Sequence, residues 1–191
     1  MEKSLFPHFL WHLEVFTVKK LEEYVMSIPD FPEKGIIFRD ITSVIQDPDG
    51  LKLAIDTMQD SIKDLDFDVV VGPESRGFIF GMPIAYNLHK PFVLIRKKGK
   101  LPRETVEKTY DLEYGTATIE MHKDSIKPGQ KVLIVDDLIA TGGTTKAMIE
   151  MIEELGGEVV GIAVVMELAG LKGRKKIEGY RLESCIIYPG N

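Results

Sequence analysis

The sequence predicts a single α/β domain with a mostly parallel central sheet, and three observations support this fold class. Short apolar, often β-branched runs alternate with stretches of helical periodicity, as in domains whose helices cover a parallel sheet. Residues 131–135 and 159–165 are apolar at nearly every position, which is typical of strands buried on both faces. The length of 191 residues suits one domain with a substantial core.

Two helices are predicted before the first core strand. Apolar residues at helical spacing run through residues 18–28 and stop at Pro29, which predicts a first helix. A link with proline and glycine over residues 29–35 leads into a short apolar stretch at residues 36–38. A second helix is predicted over residues 49–64, where apolar side chains recur on one face.

Beyond the second helix the pattern becomes that of strands alternating with helices. The predicted strands span residues 69–71, 91–95, 116–121, 131–135, 159–165 and 184–188, and the predicted helices span residues 76–88 and 143–155. Residues 97–115 have no clear periodicity and contain Gly99, Pro102 and Gly115 among many charges. We predict a long loop there, and long loops in compact domains are usually functional or disordered.

Charge, hydropathy and cysteine content limit the kinds of molecule and compartment with which the protein is compatible. The net charge of −6 disfavours a general nucleic-acid binder, and no apolar run approaches the roughly 20 residues of a membrane helix. The single cysteine, Cys185, excludes an internal disulfide and lies in an apolar run, so we expect a buried thiol in a reducing cytoplasm. Of two basic clusters, residues 172–176 are typical of a solvated face, whereas residues 96–100 follow a strand end and are placed to attract a polyanion.

Residues 132–145 form the most informative motif. A buried strand is followed by Asp136 and Asp137, and then by a loop of glycines and threonines that opens a helix. Ligands of open α/β sheets lie at the carboxyl ends of strands, and N–H groups at a helix N-terminus favour a phosphate. A plain turn with capping threonines would explain the glycines and threonines but not the acids. The acids would repel a phosphate unless they bind sugar hydroxyls or a metal cluster, so the motif predicts a site for a phosphorylated ribose.

The spacing of this loop matches neither a Walker loop nor a dinucleotide-binding loop. It resembles the phosphoribosyl pyrophosphate signature of the type I phosphoribosyltransferases. Four further segments resemble the adenine branch of that family, at residues 31–42, 72–81, 96–102 and 110–115. The resemblance covers roughly residues 21–189 and implies a type I phosphoribosyltransferase fold. The expected organisation is an extension at residues 1–17, a small hood mainly within residues 18–45, and a core at about residues 46–191.

The resemblance also implies roles around the phosphoribosyl group. Asp136 and Asp137 would bind the ribose hydroxyls, while Arg76, with the Glu74–Ser75 peptide before it, would line the pyrophosphate site. Lys97 and Lys100 would meet the pyrophosphate from the same subunit or from its neighbour. We predict a cis peptide bond at Glu74–Ser75. The 5′-phosphate would lie in a nest formed by Ala140, Thr141, Gly142, Gly143 and Thr144.

For the purine, the resemblance implies stacking between Phe38 and Leu138, reading of the base edge by the backbone of Ile37, and a nearby Arg39. From the sequence alone, Phe38 is more readily a core aromatic, whereas Arg39 with the following aspartate is equally a local ion pair or helix cap. Glu113, in the predicted long loop, resembles the family's catalytic carboxylate.

The resemblance implies Mg²⁺ as cofactor, held mainly by the substrate, and a homodimer as the assembly. A sister transferase for hypoxanthine, guanine or xanthine is the nearest alternative, and the hood favours adenine over these bases. A regulator that binds phosphoribosyl pyrophosphate while gripping nucleic acid is the second alternative. It would need a basic surface or an added DNA-binding domain. The acidic composition disfavours the first, and only about 65 residues, most of them matched to the hood, precede the first core strand.

Overall fold

The computed structural model describes residues 19–111 and 115–190, in which helices flank a central sheet. The strands in chain order are β1 (Met26–Pro29), β2 (Ile37–Asp40), β3 (Val69–Pro73), β4 (Phe92–Lys97), β5 (Thr105–Asp111), β6 (Thr116–His122), β7 (Lys131–Ile139), β8 (Glu158–Leu168) and β9 (Leu182–Tyr188). The α-helices are α1 (Thr42–Gln46), α2 (Pro48–Ser61), α3 (Arg76–Asn87), α4 (Gly143–Glu154) and α5 (Gly173–Lys176). The predicted α/β class is confirmed.

The main sheet has seven strands in the order β5-β6-β4-β3-β7-β8-β9. The run from β4 to β9 is parallel throughout, and β6 and β5 extend one edge in antiparallel fashion. The sheet is therefore mostly parallel, as predicted. Its strands, with helices α2, α3 and α4, begin and end within about four residues of their predicted bounds where a prediction was made.

Both faces of the central strands are buried, which explains their continuous apolar runs. Along β7, Val132 and Ile134 pack into a core shared with α4, whereas Leu133 and Val135 pack into a core shared with α2 and α3. Side chains alternate between the faces of a strand, so every position of this run needs an apolar residue. The carboxyl ends of these parallel strands meet at one edge of the domain, where ligands of such sheets bind.

The predicted first helix over residues 18–28 is wrong. A 3-10 turn at Leu21–Tyr24 is followed by β1, which pairs with β2 in an antiparallel hairpin. Leu21 and Val25 are buried, as the helical spacing suggested. A turn followed by an extended segment buries the same two side chains, and the hairpin satisfies the backbone groups that a helix would have paired internally.

The predicted loop over residues 97–115 also contains regular structure. Strand β5 occupies Thr105–Asp111 and pairs along its whole length with β6. Its inner face presents Val106, Lys108 and Tyr110, which are the more buried positions of the strand. The lysine in this inward series breaks the alternation of apolar and polar residues, and Lys108 pairs with Glu154 of α4. The periodicity was therefore not recognisable in the sequence.

Two further features bear on the compositional expectations. Cys185 is partly buried rather than fully enclosed, and burial raises the pKa of its thiol to about 12. None of the helices in the described residues has the length and apolar character needed to cross a bilayer.

Candidate active site

A cavity of about 620 Å³ opens at the carboxyl ends of β3 and β7. The strand ends, the loop before α3 and the loop before α4 all contribute to its walls. Its lining comprises residues 73–76 and 136–145 together with Phe78, Arg96, Lys97 and Tyr110. The fold thus brings the acid pair, the glycine–threonine loop and the Glu74–Arg76 segment, which are far apart in sequence, to one site.

The acid pair lies inside β7, because this strand runs to Ile139 rather than ending at the predicted residue 135. Asp137 is only 4% exposed, and one of its carboxylate oxygens lies 2.7 Å from Nε of Arg76. The backbone N–H of Asp137 donates to a carboxylate oxygen of Asp136 at 2.8 Å. The two carboxylates are therefore fixed by the strand, by one another and by the first residue of α3.

Burial disfavours the charged forms of both acids. The pKa of Asp136 is raised well above its ordinary value, mainly by burial and to a smaller extent by the negative charge of Asp137. Burial also raises the pKa of Asp137, although the Arg76 guanidinium opposes the shift. A ligand that donates hydroxyl hydrogen bonds, or that brings positive charge, would relieve this destabilisation. The electrostatics thus suit a sugar diol or a cation.

The glycine–threonine loop forms another wall of the cavity. Gly142 has a φ of +77° and caps the N-terminus of α4, which begins at Gly143. This left-handed conformation is readily adopted by glycine and turns the chain so that α4 starts at the cavity. The helix dipole and the free N–H groups of its first turn favour an anion. The hydroxyl of Thr144 donates to the hydroxyl of Tyr110 on β5 at 3.0 Å.

The third wall is the segment between β3 and α3. The Glu74–Ser75 peptide bond is cis, which confirms that prediction. The carboxylate of Glu74 accepts a hydrogen bond from Nε of Arg96 at 2.7 Å. Arg76 and Arg96 therefore line the cavity as cations already oriented by Asp137 and Glu74.

The two lysines of the basic cluster are positioned differently. Lys97 ends β4 and lines the cavity, whereas Lys100 lies in the following turn, outside the cavity lining. The buried carboxylate of Glu120 holds this turn by accepting from the backbone N–H groups of Lys100 and Leu101, at 2.8 and 2.7 Å. These bonds help to lower the pKa of Glu120 against the opposing effect of burial.

Of the four residues expected to contact the base, Leu138 lines the cavity, whereas the other three lie on strand β2 of the hairpin and are not part of the cavity lining. Phe38 is partly buried and meets the exposed ring of Phe31 edge to face, at 5.2 Å between centroids. Arg39 stacks over the ring of Tyr188 at 4.2 Å and donates to the Ser27 hydroxyl.

Asp40 accepts hydrogen bonds from the backbone N–H and the hydroxyl of Thr42, at 2.9 and 2.7 Å. Asp40 thus stabilises the start of α1 from the residue before its N-cap, Ile41, so it resembles the alternative of a helix cap without occupying the cap position. Glu113 lies outside the described residues, as do residues 1–17, so the roles expected for them stay predictions.

Sequence reasoning missed Tyr110, Arg96 and Glu120 as contributors to the site. Arg96 belonged to the basic cluster, and its position at the end of a strand was the available signal. Tyr110 lay in a segment that gave no strand pattern. Glu120 carried no signal, because a single acid in a half-buried strand is indistinguishable from a solvent-facing one until its partners are known.

Comparison with known proteins now identifies the chain. Residues 42–189 match the model of the phosphoribosyl transferase domain. That match covers more than half of the sequence, so the chain belongs to the phosphoribosyltransferase family. The adenine phosphoribosyltransferase of Lachnoclostridium phytofermentans is 71% identical over 173 residues, covering 91% of this chain and 99% of the relative. Within the family, this chain belongs with the adenine phosphoribosyltransferases, which are enzymes that transfer a pentosyl group.

Solved structures agree. The adenine phosphoribosyltransferase of Thermoanaerobacter pseudethanolicus superposes with a TM-score of 0.84 at 48% identity, over 88% of this chain and all of the other. The Saccharomyces cerevisiae enzyme, solved with an imino-altritol bisphosphate and adenine, has a TM-score of 0.80 at 38% identity, over 86% and 96% of the two chains. The resemblance found in the motifs is thus confirmed at the level of the whole domain.

Proposed function

We propose that this enzyme joins adenine to the ribose of phosphoribosyl pyrophosphate, yielding AMP and pyrophosphate, and that the strand-end cavity is its active site. The observation that carries the assignment of the site is the convergence of three elements on one cavity. These are the buried acid pair Asp136–Asp137, the N-terminus of α4, and the cationic segment around Arg76. Each element suits a different part of the substrate.

The acid pair suits the ribose hydroxyls, since hydroxyl donors would stabilise the buried carboxylates. Residues 140–144 suit the 5′-phosphate, since they present the start of a helix of twelve residues. Arg76 and Lys97 suit the pyrophosphate. Binding all three groups at once would fix the anomeric carbon of the sugar, and positioning of this kind supplies much of the rate of such reactions.

Magnesium is part of the proposal. The carboxylates of Asp136 and Asp137 offer oxygen ligands of the kind that Mg²⁺ prefers. In the part of the chain that the structure describes, no group of three or more His, Cys, Asp or Glu side chains is arranged to hold a metal ion. These residues fit an Mg²⁺ that enters mainly on the substrate. When bound, it would neutralise charge on the leaving pyrophosphate.

The purine would bind between the hood and the cavity, with Phe38 and Leu138 on its two faces and Ile37 at its edge. We define the hood as residues 18–45, of which the β1–β2 hairpin is the described centre, and the catalytic core as residues 46–191. Adenine that attacks through N9 must lose a proton, and Glu113 is the proposed group that accepts this proton or fixes the tautomer. Closure of residues 97–115 over the site would exclude water from the activated sugar.

A homodimer is supported by an exposed apolar face on α3. Ile79, Met82 and Tyr86 recur at spacings of three and four, and Met82 and Tyr86 are 50% and 83% exposed. Large apolar side chains repeated along one helix face are typical of protein interfaces. We expect a dimer by light scattering, and a monomeric mass would contradict this part of the proposal. The partly buried thiol of Cys185 suits a reducing compartment, which supports a cytoplasmic location.

The activity is tested by pyrophosphate release from phosphoribosyl pyrophosphate and Mg²⁺, with adenine, hypoxanthine, guanine, xanthine and orotate offered separately. Fast release with adenine alone is expected. Release with another base instead would keep the assigned phosphoribosyl site but overturn the assignment of the hood. Failure with every base, despite tight binding of phosphoribosyl pyrophosphate, would indicate a regulator rather than an enzyme.

A further inference from the structure

The proposed phosphate nest is supported from behind by a segment about 30 residues further along the chain. A Cβ atom on Gly142 would lie 2.6 Å from the carbonyl oxygen of Gly173, and a Cβ atom on Gly173 would lie 2.3 Å from the carbonyl oxygen of Ala140. Both distances are well inside van der Waals contact. The backbones of the nest and of Gly173 therefore touch directly, and each position excludes any side chain larger than hydrogen.

Gly173 is held in this place by its neighbour, Arg174. The guanidinium of Arg174 donates to both carboxylate oxygens of Glu167, at 3.1 and 2.6 Å, and to the carbonyl oxygen of Leu182 at 3.2 Å. Glu167 lies on β8, is only 5% exposed, and also accepts from the hydroxyl of Ser184 at 3.0 Å. A bidentate pair of this kind fixes orientation as well as distance. The ion pair thus fastens the segment behind the nest to two core strands.

We propose that Gly173 and Arg174 are positioning residues that keep residues 140–142 in the conformation that binds the 5′-phosphate. This inference rests on the proposed function, because it takes these residues to be the phosphate nest. Backbone N–H groups bind an anion well only while they point at it. A nest that must first be ordered loses affinity by the cost of that ordering. The backing segment would therefore govern affinity for the phosphoribosyl group without affecting the purine.

The direct test is Gly173→Ala, with Gly170→Ala as matched control. Gly170 lies in the same segment, but a Cβ atom there would meet nothing closer than 3.4 Å. For Gly173→Ala we expect the KM for phosphoribosyl pyrophosphate and the Kd for ribose 5-phosphate, measured by calorimetry, to rise about tenfold. The KM for adenine at saturating phosphoribosyl pyrophosphate should stay within about twofold of wild type. Gly170→Ala should behave like wild type.

A second pair of variants keeps the test valid if Gly173→Ala does not fold. Arg174→Lys keeps the charge but loses the bidentate geometry, and Arg181→Lys is its control. Arg181 also makes a bidentate pair, at 2.7 and 2.9 Å, but its partner is Asp64, in the turn after α2, and this pair does not hold the segment behind the nest. We expect Arg174→Lys to raise the Kd for ribose 5-phosphate by about threefold or more and Arg181→Lys to leave it unchanged.

Selective loss of affinity for phosphoribosyl ligands in Gly173→Ala or Arg174→Lys would support the inference. Equal values for each variant and its control would overturn it, as would a parallel loss of adenine and ribose 5-phosphate binding, which would indicate a general structural role. If the wild-type enzyme itself bound neither ribose 5-phosphate nor phosphoribosyl pyrophosphate, the proposed function would fail together with the inference. That result is read from the wild type alone, so the two failures are distinguishable.

Discussion

The two proposed halves of the active site are built differently. The phosphoribosyl half consists of the ends of buried core strands and the start of α4, with ion pairs that orient its charged groups. The base half consists mainly of a two-stranded hairpin whose residues are half-buried or exposed. Arg39, stacked on Tyr188, fastens this hairpin to the last strand. The difference teaches that the sugar phosphate would meet a preformed surface, while the purine would meet an element attached at the margin of the domain.

The largest effect is expected from the acid pair. Replacing both residues, as Asp136→Asn and Asp137→Asn, would remove two charged acceptors for the ribose hydroxyls. We expect kcat/KM for phosphoribosyl pyrophosphate to fall about 1000-fold, since charge-assisted hydrogen bonds contribute roughly 1.5–3 kcal/mol each. Steady-state kinetics with adenine in excess would measure this. Asp124→Asn, which breaks an exposed ion pair with Arg103, is the control, and an equal fall in both variants would contradict the assignment.

Glu113→Gln should separate chemistry from binding. A positioned general base contributes roughly 100-fold or more to turnover, so kcat should fall by about that factor while both KM values change little. Single-turnover measurements would establish whether the chemical step is the one affected. Unchanged turnover would remove Glu113 from the proposed mechanism.

Phe38→Leu tests the base half alone. Loss of an aromatic face beneath a base costs roughly 1–3 kcal/mol, so the KM for adenine should rise about tenfold. The Kd for ribose 5-phosphate should not change, because Phe38 does not line the strand-end cavity. A change in both constants would show that the two halves are not independent, and a change in neither would make Phe38 a packing residue only.

The smallest effect concerns stability. The hydrogen bond from Arg174 lowers the pKa of Glu167 in the folded protein. The ionised Glu167 therefore stabilises the folded state above its unfolded pKa of about 4.3, and this stabilisation is lost as the pH falls through the lower folded pKa. The melting temperature of the wild type should therefore fall more between about pH 6 and pH 3 than that of Glu167→Gln. Parallel curves for the two proteins would show that the ion pair does not stabilise the fold.

The same contrast explains which parts of the fold and of the site could be predicted from the sequence. Strands such as β7 and β8 were predictable because burial on both faces demands apolar residues at every position. The acid pair and the glycine–threonine loop were recognisable because their chemistry is concentrated in one continuous segment. The cis geometry of the Glu74–Ser75 peptide bond was predictable only through the family resemblance, and the structure confirms it.

The elements that were predicted wrongly lack a continuous segment of this kind, in which the residues that determine the structure are adjacent in the sequence. The segment at residues 18–28 has helical spacing, yet pairing with β2 makes its last three residues part of a strand. In β5, Lys108 on the inner face hides the alternation that would have marked a strand. The approach of Gly173 to Gly142 depends on how β7, β8 and α5 are arranged in space. The residues around each glycine in the sequence do not indicate that the other glycine lies against it.

The most direct test of the division between the two halves is a crystal structure of the protein with AMP. The account predicts the 5′-phosphate within hydrogen-bonding distance, about 3 Å, of backbone N–H groups in residues 141–144, and the ribose hydroxyls on Asp136 and Asp137. It places the adenine ring between Phe38 and Leu138. A complex with the phosphate on Arg76 and Lys97, or with the ring away from the β1–β2 hairpin, would contradict it.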